Sequence, residues 1–136
     1  MSTEIRPELS EKNPYWIDRH RYYELKHFCL QYLMWKRVSS SITELKAHQV
    51  KDIFQKNNGD PTAECAEMRT YLQERIQMLE DVAKDTDAVI GKYILKSVTE
   101  GISYDLMKAK MNVPCCRDIF YNLYRRFFWK LDKIRC

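Results

Sequence analysis

The feature that most limits the fold of this chain is its scarcity of helix-breaking residues. Only three glycines and four prolines occur in 136 residues, and no proline interrupts a segment of regular apolar spacing. Glycine and proline interrupt helices more strongly than any other residues, and folds made of many short strands need them at their turns. With 45 % hydrophobic residues, the chain can also bury a substantial core. The sequence therefore predicts an all-α fold of five or six helices.

Before residue 102, apolar residues recur at intervals of three and four along four segments, which predicts four helices. They are expected at about 18–37, with Asp18 as N-cap, and at 42–55, 61–84 and 85–101. The segment 38–41 (VSSS) interrupts the spacing between the first two. The clearest break is NNGDP at 57–61, where Asp60 can cap a helix that has Pro61 in its first turn. We therefore divide the chain into an N-terminal helical region, 1–58, with a loose tail at 1–14, and a C-terminal part, 59–136.

The helix predicted at 61–84 carries a narrow apolar stripe with charged residues between its members. Such a stripe, with a repeat close to 3.5 residues, is typical of a helix that packs along one seam. The seam can lie inside the fold or between two copies of the chain, so a homodimer through 61–84 remains an alternative to an internal core helix. The stripe consists of Cys65, Met68, Leu72, Ile76, Leu79 and Val82.

The positive charge of the chain is concentrated at its C-terminal end. Residues 103–136 hold eight lysines and arginines against three aspartates, a net charge of +5, whereas the other 102 residues have a net charge of −1. A basic helix pair confined to one end of a chain is typical of a surface that binds a phosphate backbone. Double-stranded DNA is therefore the first candidate partner.

The same segment has the layout of a helix, a tight turn and a longer helix. Ser103 can cap a short helix that is expected to bury Leu106, Met107 and Met111. Pro114 cannot continue this helix, so a second one is expected from about residue 116 or 117 to Ile134. Together with the helix that ends near Gly101, these elements predict a trihelical helix-turn-helix. The inner face of the last helix should consist of Phe120, Tyr124, Phe127 and Leu131, with Leu123 and Phe128 alongside.

In a helix-turn-helix, the first turns of the last helix enter the major groove. Arg117 and Arg125 would then bind guanine O6 and N7, and Asn122 would bind adenine N6 and N7. Tyr121 would meet a thymine methyl group or a phosphate. The alternative is that these side chains only solvate the outside of an aromatic core. The DNA-binding residues predicted on the outer face are Arg117, Tyr121, Asn122 and Arg125, and those predicted to bind phosphates are Lys108, Lys110 and Arg126.

The run YDLMKAKMNVPCCRDIFYNLYRRFFWKL at 104–131 resembles the C-terminal helix-turn-helix of phage-encoded late-gene transcription regulators of the ArpU/RinA type. That unit is itself similar to region 4 of sigma factors. The segment DPTAECAEMRTYLQERIQMLEDVAKDTD at 60–87 occupies the place of the middle helix in such regulators. The resemblance implies a sequence-specific DNA-binding regulator of a phage or prophage that acts in the bacterial cytoplasm. RNA polymerase or another regulator would be a further partner.

An enzyme is a weaker interpretation of the sequence. Acid–base chemistry needs a histidine or paired carboxylates in a pocket, and no nucleophile–base pair or phosphate-binding loop is present in the sequence. His20, Glu24 and His27 have the spacing of a metal-binding helix face, but such histidines are usually only solvated. The cysteine and histidine spacing does not match a zinc site. We expect no catalysis, no metal and no cofactor.

A protein-interaction module is the other alternative, in which a small helical phage protein binds a host or phage protein. The aromatic residues of the N-terminal region suit a partner surface or, as we expect, the core. These residues are Tyr15, Trp16, Tyr22, Tyr23 and Trp35.

The cysteines and the hydrophobic runs bear on the compartment. Five scattered cysteines are most simply free thiols in a reducing cytosol. The adjacent Cys115 and Cys116 are interpreted as small apolar or capping residues rather than as a redox switch, because a bridge between neighbours is strained. No apolar run reaches the length of a membrane span, and the first residues do not resemble a signal peptide, so a cytoplasmic protein is expected.

Overall fold

The computed structural model describes residues 13–44 and 61–135, and in these ranges the chain is all-α, with six helices and no strand. The predicted fold class is therefore confirmed. The helices are α1 (Arg19–Cys29), α2 (Tyr32–Glu44), α3 (Pro61–Thr86), α4 (Gly91–Glu100), α5 (Tyr104–Met111) and α6 (Arg117–Ile134).

The N-terminal region differs from its prediction. Asp18 caps α1 as expected, since its carboxylate accepts a hydrogen bond of 3.0 Å from the His20 N–H. The single helix predicted at 18–37 is wrong, because α1 ends at Cys29 and α2 begins at Tyr32. The interruption predicted at 38–41 is also absent, and the Ser41 hydroxyl there donates to the Arg37 carbonyl four residues earlier. That bond satisfies a serine inside a helix. Most of the helix predicted at 42–55 lies outside the described residues.

The chain divides into two compact units. The described residues of Met1–Gln31 and of Leu79–Cys136 form one unit, and Tyr32–Met78 forms the other. This division differs from the predicted boundary between residues 58 and 59, which itself lies outside the described residues. The larger unit contains α1, α4, α5 and α6. We call it the aromatic unit, because Tyr22, Phe120, Phe127 and Phe128 are among its fully buried side chains. The smaller unit has Tyr32, Trp35 and Leu72 as buried side chains.

In the aromatic unit, α6 lies at the centre and packs against α1, α4 and α5, while α4 also contacts α1 and α5. The hydroxyls of Tyr22 and Tyr124 form a buried hydrogen bond of 3.0 Å between α1 and α6. The predicted inner face of α6 is confirmed. Side chains with almost no exposed surface are Tyr22, Leu25, Leu79, Val82, Ile94, Met107, Val113, Phe120, Phe127, Phe128 and Leu131.

The connection from α3 to α4 holds α4 close to α3. The Asp87 carboxylate accepts hydrogen bonds of 2.8 Å from the N–H groups of Val89 and Ile90, and α4 starts only at Gly91. A Cβ atom on Gly91 would lie 2.2 Å from the Ala83 carbonyl oxygen. Glycine is therefore required for this approach. The helix restart predicted at 85–87 is wrong, because α3 continues to Thr86 and the turn begins only at Asp87, whose side chain binds the N–H groups of Val89 and Ile90.

The apolar stripe of α3 is partly buried and partly exposed. Leu72, Leu79 and Val82 are buried, as the internal core interpretation predicts. Met68 is 50 % exposed, and Tyr71 beside it is similarly exposed. Only the first half of the predicted seam therefore remains accessible to a second copy of the chain.

Candidate nucleic-acid interface

The helix α5 begins where the sequence predicts it. Gly101 ends α4 with a left-handed backbone, φ 69°, and its N–H donates to the Ser97 carbonyl. The Ser103 hydroxyl then caps α5 by accepting a hydrogen bond of 3.3 Å from the Leu106 N–H. The end of α4 at Gly101 and the cap of α5 at Ser103 each depend on residues within one turn, which explains why the sequence predicted both.

The turn between α5 and α6 is held by two hydrogen bonds and by the burial of Val113. Asn112 ends α5 with a left-handed backbone, φ 52°, and Val113 after it is fully buried. The Lys108 ammonium donates to the Val113 carbonyl at 2.8 Å, and the Tyr104 hydroxyl donates to the Cys115 carbonyl at 2.6 Å. These bonds fix the direction in which α6 leaves the turn. Lys108, predicted to bind phosphate, is thus already bound to the chain.

The burial predicted for α5 is only partly correct. Met107 is buried, but Leu106 is 45 % and Met111 is 41 % exposed. An eight-residue helix makes little more than two turns, and α5 buries Tyr104 and Met107, which share one face at a spacing of three. Leu106 lies outside this face, and Met111 is the last residue of the helix. Two apolar side chains of α5 are therefore on the surface.

Tyr121 is buried, so its predicted place on the outer face is wrong. Its side chain is 6 % exposed, and its hydroxyl accepts a hydrogen bond of 3.2 Å from the Tyr104 N–H. Its ring centroid lies 6.5 Å from that of Tyr104 and 5.8 Å from that of Tyr124. The buried face of α6 is wider than a spacing of three and four alone predicts, because α5 covers the side on which Tyr121 lies. A side chain in this position cannot reach a DNA base.

Arg117, the first residue of α6, is exposed as predicted. One guanidinium nitrogen, Nη1, lies 3.8 Å from Asp105 Oδ2, and the guanidinium carbon lies 5.7 Å from the centroid of the Tyr121 ring. An exposed ion pair at this distance contributes little to stability. Arg117 can therefore exchange Asp105 for another anion at small cost.

Arg125 is half-buried, and its side chain makes no hydrogen bond or ion pair with any residue that the structure describes. Burial lowers the pKa of its guanidinium, which nevertheless stays charged at neutral pH. The guanidinium is therefore partly desolvated and has no ion-pair partner within the described ranges. Such a cation gains more than an already paired one from an external anion.

Asn122 and Arg126 share the outer side of α6. Asn122 is exposed and Arg126 is half-buried. The hydrogen bond from Lys130 lowers the pKa of Asp85, the backbone N–H groups of Ile90 and Val89 lower that of Asp87, and the charge of Arg126 adds a smaller effect in the same direction on both. The field of Arg126 is thus partly offset by these two carboxylates. On α5, Lys110 is exposed and has no ion-pair partner in the described part of the chain.

Because Phe120, Tyr121 and Tyr124 are buried, the opposite side of α6 lies on the surface. Ile119, which the sequence analysis did not assign, is 53 % exposed. It precedes Asn122 by three positions and Arg126 by seven, so the three side chains lie on one row. We call Ile119, Asn122, Arg125 and Arg126 the outer face of α6. The spacing of the aromatic residues would have found Ile119 if Tyr121 had been assigned to the core.

The cations near the C-terminal end of α6 contact the protein itself. Lys130 donates to Asp85 at 2.8 Å, and Lys133 lies 3.5 Å from the centroid of the Trp129 ring. Beyond the helix, the Arg135 guanidinium lies 3.7 Å from the Phe28 ring. The positive charge at this end of the helix therefore contributes to packing.

Arg21 fastens α1 to the C-terminal end of α6. Its Nε donates to Asp132 at 2.5 Å, and its Nη2 donates to the Arg135 carbonyl at 2.9 Å. The carbonyl groups at the end of a helix lack partners within it, so an arginine that binds one of them also caps the helix. Asp132, the acidic residue of this helix end, is thus part of the fold.

The other candidate sites have little geometric support. His20, Glu24 and His27 are exposed, and the described residues contain no group of three possible metal ligands. Cys29, Cys65, Cys115 and Cys116 are free thiols. Burial first and the neighbouring Cys116 second raise the pKa of Cys115, which disfavours the reactive thiolate. None of the described helices combines the length and the apolarity needed to cross a membrane.

Two of the five N-terminal aromatic residues are part of the core, and the other three are half-buried. Tyr22 and Trp35 are buried, each in its own unit. Tyr15 is half-buried, with its ring centroid 5.5 Å from that of Trp129 on α6. The core interpretation of these aromatic residues is therefore confirmed for Tyr22 and Trp35, and the aromatic partner surface is reduced accordingly.

Comparison with known proteins adds no relative to these observations. No protein-family model, no curated protein and no solved structure matches the chain. The resemblance to ArpU/RinA-type regulators therefore stays a prediction, and the function of the chain has to be inferred from its residues and their geometry.

Proposed function

We propose that this chain is a non-enzymatic, sequence-specific DNA-binding regulator of transcription that inserts the outer face of α6 into the major groove. The observation that carries the proposal is the placement of the unpaired cations. The last 34 residues hold a net charge of +5, and three of their cations make no ion pair, side-chain hydrogen bond or ring contact with a described residue. These cations are Lys110, Arg125 and Arg126.

The packing of α4, α5 and α6 supports this use of α6. The three helices contact one another pairwise, and bound carbonyl groups hold the turn before α6. A helix-turn-helix needs such a rigid support, because the last helix must enter the groove at a fixed angle. The first two turns of α6 also carry the exposed Arg117 and Asn122.

The proposed roles follow from the chemistry of each side chain. Arg125 and Arg117 fork onto guanine O6 and N7, and Asn122 bridges adenine N6 and N7. Lys110 and Arg126 bind phosphates, which positions the protein without selecting a sequence. Lys108 has a smaller part, since one of its donors binds the Val113 carbonyl. Tyr121 has no part in the interface, because it is buried.

The biological setting of the proposal comes from the resemblance to ArpU/RinA-type regulators. From it we infer that the chain acts in a phage or prophage, in the cytoplasm of a bacterial host, with RNA polymerase or another regulator as a further partner. The sigma region 4-like helix-turn-helix is part of the same proposal. Each of these statements is separable from DNA binding itself.

Fluorescence anisotropy of labelled genomic fragments, repeated over a series of salt concentrations, tests the proposal. We expect preferred binding to some fragments, with an affinity that falls steeply as salt rises, because each phosphate contact releases a counterion. Salt-sensitive binding without any preferred fragment would contradict sequence reading. Absence of binding at low salt would contradict DNA binding altogether.

A protein partner is the second candidate function, and exposed apolar side chains in the smaller unit favour it. Leu33, Met34 and Val38 on α2 are exposed, as are Met68 and Tyr71 on α3. The homodimer through 61–84 is one form of this candidate. Sedimentation equilibrium of the wild type and of Met68→Glu tests it, since a dimer that uses the exposed part of the stripe should dissociate more readily in the variant. A wild-type monomer at all concentrations would rule the homodimer out.

A further inference from the structure

We infer that Ile119 reads the C5-methyl group of a thymine in the preferred DNA site. The inference rests on the proposed function and deepens it, because it names a base and a chemical group that α6 distinguishes. It also fills the role that Tyr121, buried in the core, cannot take.

The position of Ile119 is the first observation behind this inference. It lies in the first turn of α6, the part of the last helix that enters the groove in a helix-turn-helix. Its side chain is 53 % exposed. With Asn122 three positions later and Arg126 seven positions later, it lies on the same row as the proposed base and phosphate contacts.

The chemistry of Ile119 selects its target. A branched aliphatic side chain offers no hydrogen bond, and the thymine methyl is the apolar group that a base pair presents in the major groove. Contact between the two removes both from water. Cytosine lacks this methyl group, so the contact discriminates between the two pyrimidines.

Single exposed apolar residues are common on protein surfaces, and exposure alone would carry nothing. Leu106 on α5 is similarly exposed, at 45 %, but it lies on another helix, outside the outer face of α6. The difference between the two residues lies in their neighbours, because Ile119 has proposed DNA contacts on its own row. Leu106 is therefore a matched control for Ile119.

The test compares thymine with deoxyuridine, which lacks only the methyl group. The preferred duplex is first selected from a random library with the full-length wild-type chain, and each thymine is then replaced singly. We expect the wild type to lose about fourfold in affinity at one or two positions, as the burial of one methyl-sized group predicts. Ile119→Ala should be insensitive to replacement there, whereas Leu106→Ala should keep the wild-type sensitivity.

The outcomes separate the inference from the proposed function. If the library yields no preferred duplex, sequence reading fails, and the role of Ile119 fails with it. If a preferred duplex exists but Ile119→Ala responds to deoxyuridine as the wild type does, only the role of Ile119 is overturned. Thermal denaturation of the variants accompanies the test, and an exposed residue such as Ile119 should change the midpoint very little.

Discussion

The inner and outer faces of α6 share one backbone but have different environments. On the inner face, Phe120, Phe127 and Leu131 are fully buried among side chains of the aromatic unit. On the outer face, Asn122 is exposed and Arg125 has no ion-pair partner in the described ranges. The inner face therefore accounts for stability, and the outer face is available for a ligand. Substitutions should separate the two roles, because the side chains that carry them do not overlap.

A second contrast runs along the length of α6. Near its C-terminal end, Lys130 binds Asp85 and Lys133 lies over Trp129, so these cations serve the fold. In its middle, Arg125 has a partly desolvated guanidinium and no ion-pair partner in the described part of the chain. Cations of equal charge on one helix therefore differ in the free energy that they gain by binding an external anion.

The largest effect is expected on the inner face. Phe127→Ala should lower the free energy of unfolding by about 3–5 kcal/mol, because it removes a fully buried ring and leaves a cavity. Urea denaturation followed by circular dichroism measures the change. Asn122→Ala on the outer face is the control and should shift the free energy of unfolding by less than about 0.5 kcal/mol. Similar losses in the free energy of unfolding of both variants would contradict the assignment of different roles to the two faces.

Arg125→Ala should have the opposite profile. We expect it to weaken binding to the preferred duplex by about 1–3 kcal/mol, since a bidentate contact with guanine is lost. The matched control is Lys130→Ala, whose cation is already paired with Asp85 and should contribute much less to binding. Anisotropy titrations at one salt concentration give both values. Equal losses in the two variants would show that only total charge matters.

Tyr121→Phe sharpens the boundary between the faces. The variant keeps the buried ring but removes the hydroxyl that accepts a hydrogen bond from the Tyr104 N–H. We expect the free energy of unfolding to fall by about 1 kcal/mol and the affinity for DNA to stay unchanged. Denaturation and anisotropy on the same sample measure both. A clear loss of affinity with unchanged stability would return Tyr121 to the DNA-binding surface.

The smallest effect concerns pH. The pKa of Asp87 lies below its ordinary value of 3.8, mainly because the Ile90 and Val89 N–H groups bind the carboxylate. A lowered pKa in the folded state stabilises the fold above the unfolded pKa, and this contribution is lost as the pH falls through the folded value. Asp87→Ala should therefore flatten the acid side of a stability–pH curve. An unchanged curve in thermal melts from about pH 5 to about pH 2.5 would contradict this assignment.

Local chemistry explains what the sequence predicted correctly. The caps at Asp18 and Ser103 and the left-handed Gly101 depend on residues within one turn, so the residues specify them directly. The inner face of α6 follows from a spacing that needs no knowledge of its partners. The all-α class follows from the scarcity of residues that end helices. Each of these predictions holds in the structure.

Tertiary packing explains what the sequence did not predict. Tyrosine occurs both in cores and on surfaces, so its type does not predict its burial. Tyr121 is buried because α5 packs over it. No glycine or proline lies at the break between α1 and α2, so the sequence does not indicate this break. The need for Gly91 arises from the Ala83 carbonyl across the α3–α4 connection. The unpaired state of Arg125 likewise depends on which carboxylates lie within reach in the folded chain.

The central claim is that the outer face of α6 binds DNA, and nuclear magnetic resonance tests it most directly. Correlation spectra of the nitrogen-15-labelled chain would be followed during titration with the preferred duplex. We predict the largest amide shifts at Lys110 and along Arg117–Arg126, with little change in Tyr32–Met78. Spectra that do not change, or shifts centred on Tyr32–Met78, would contradict the claim.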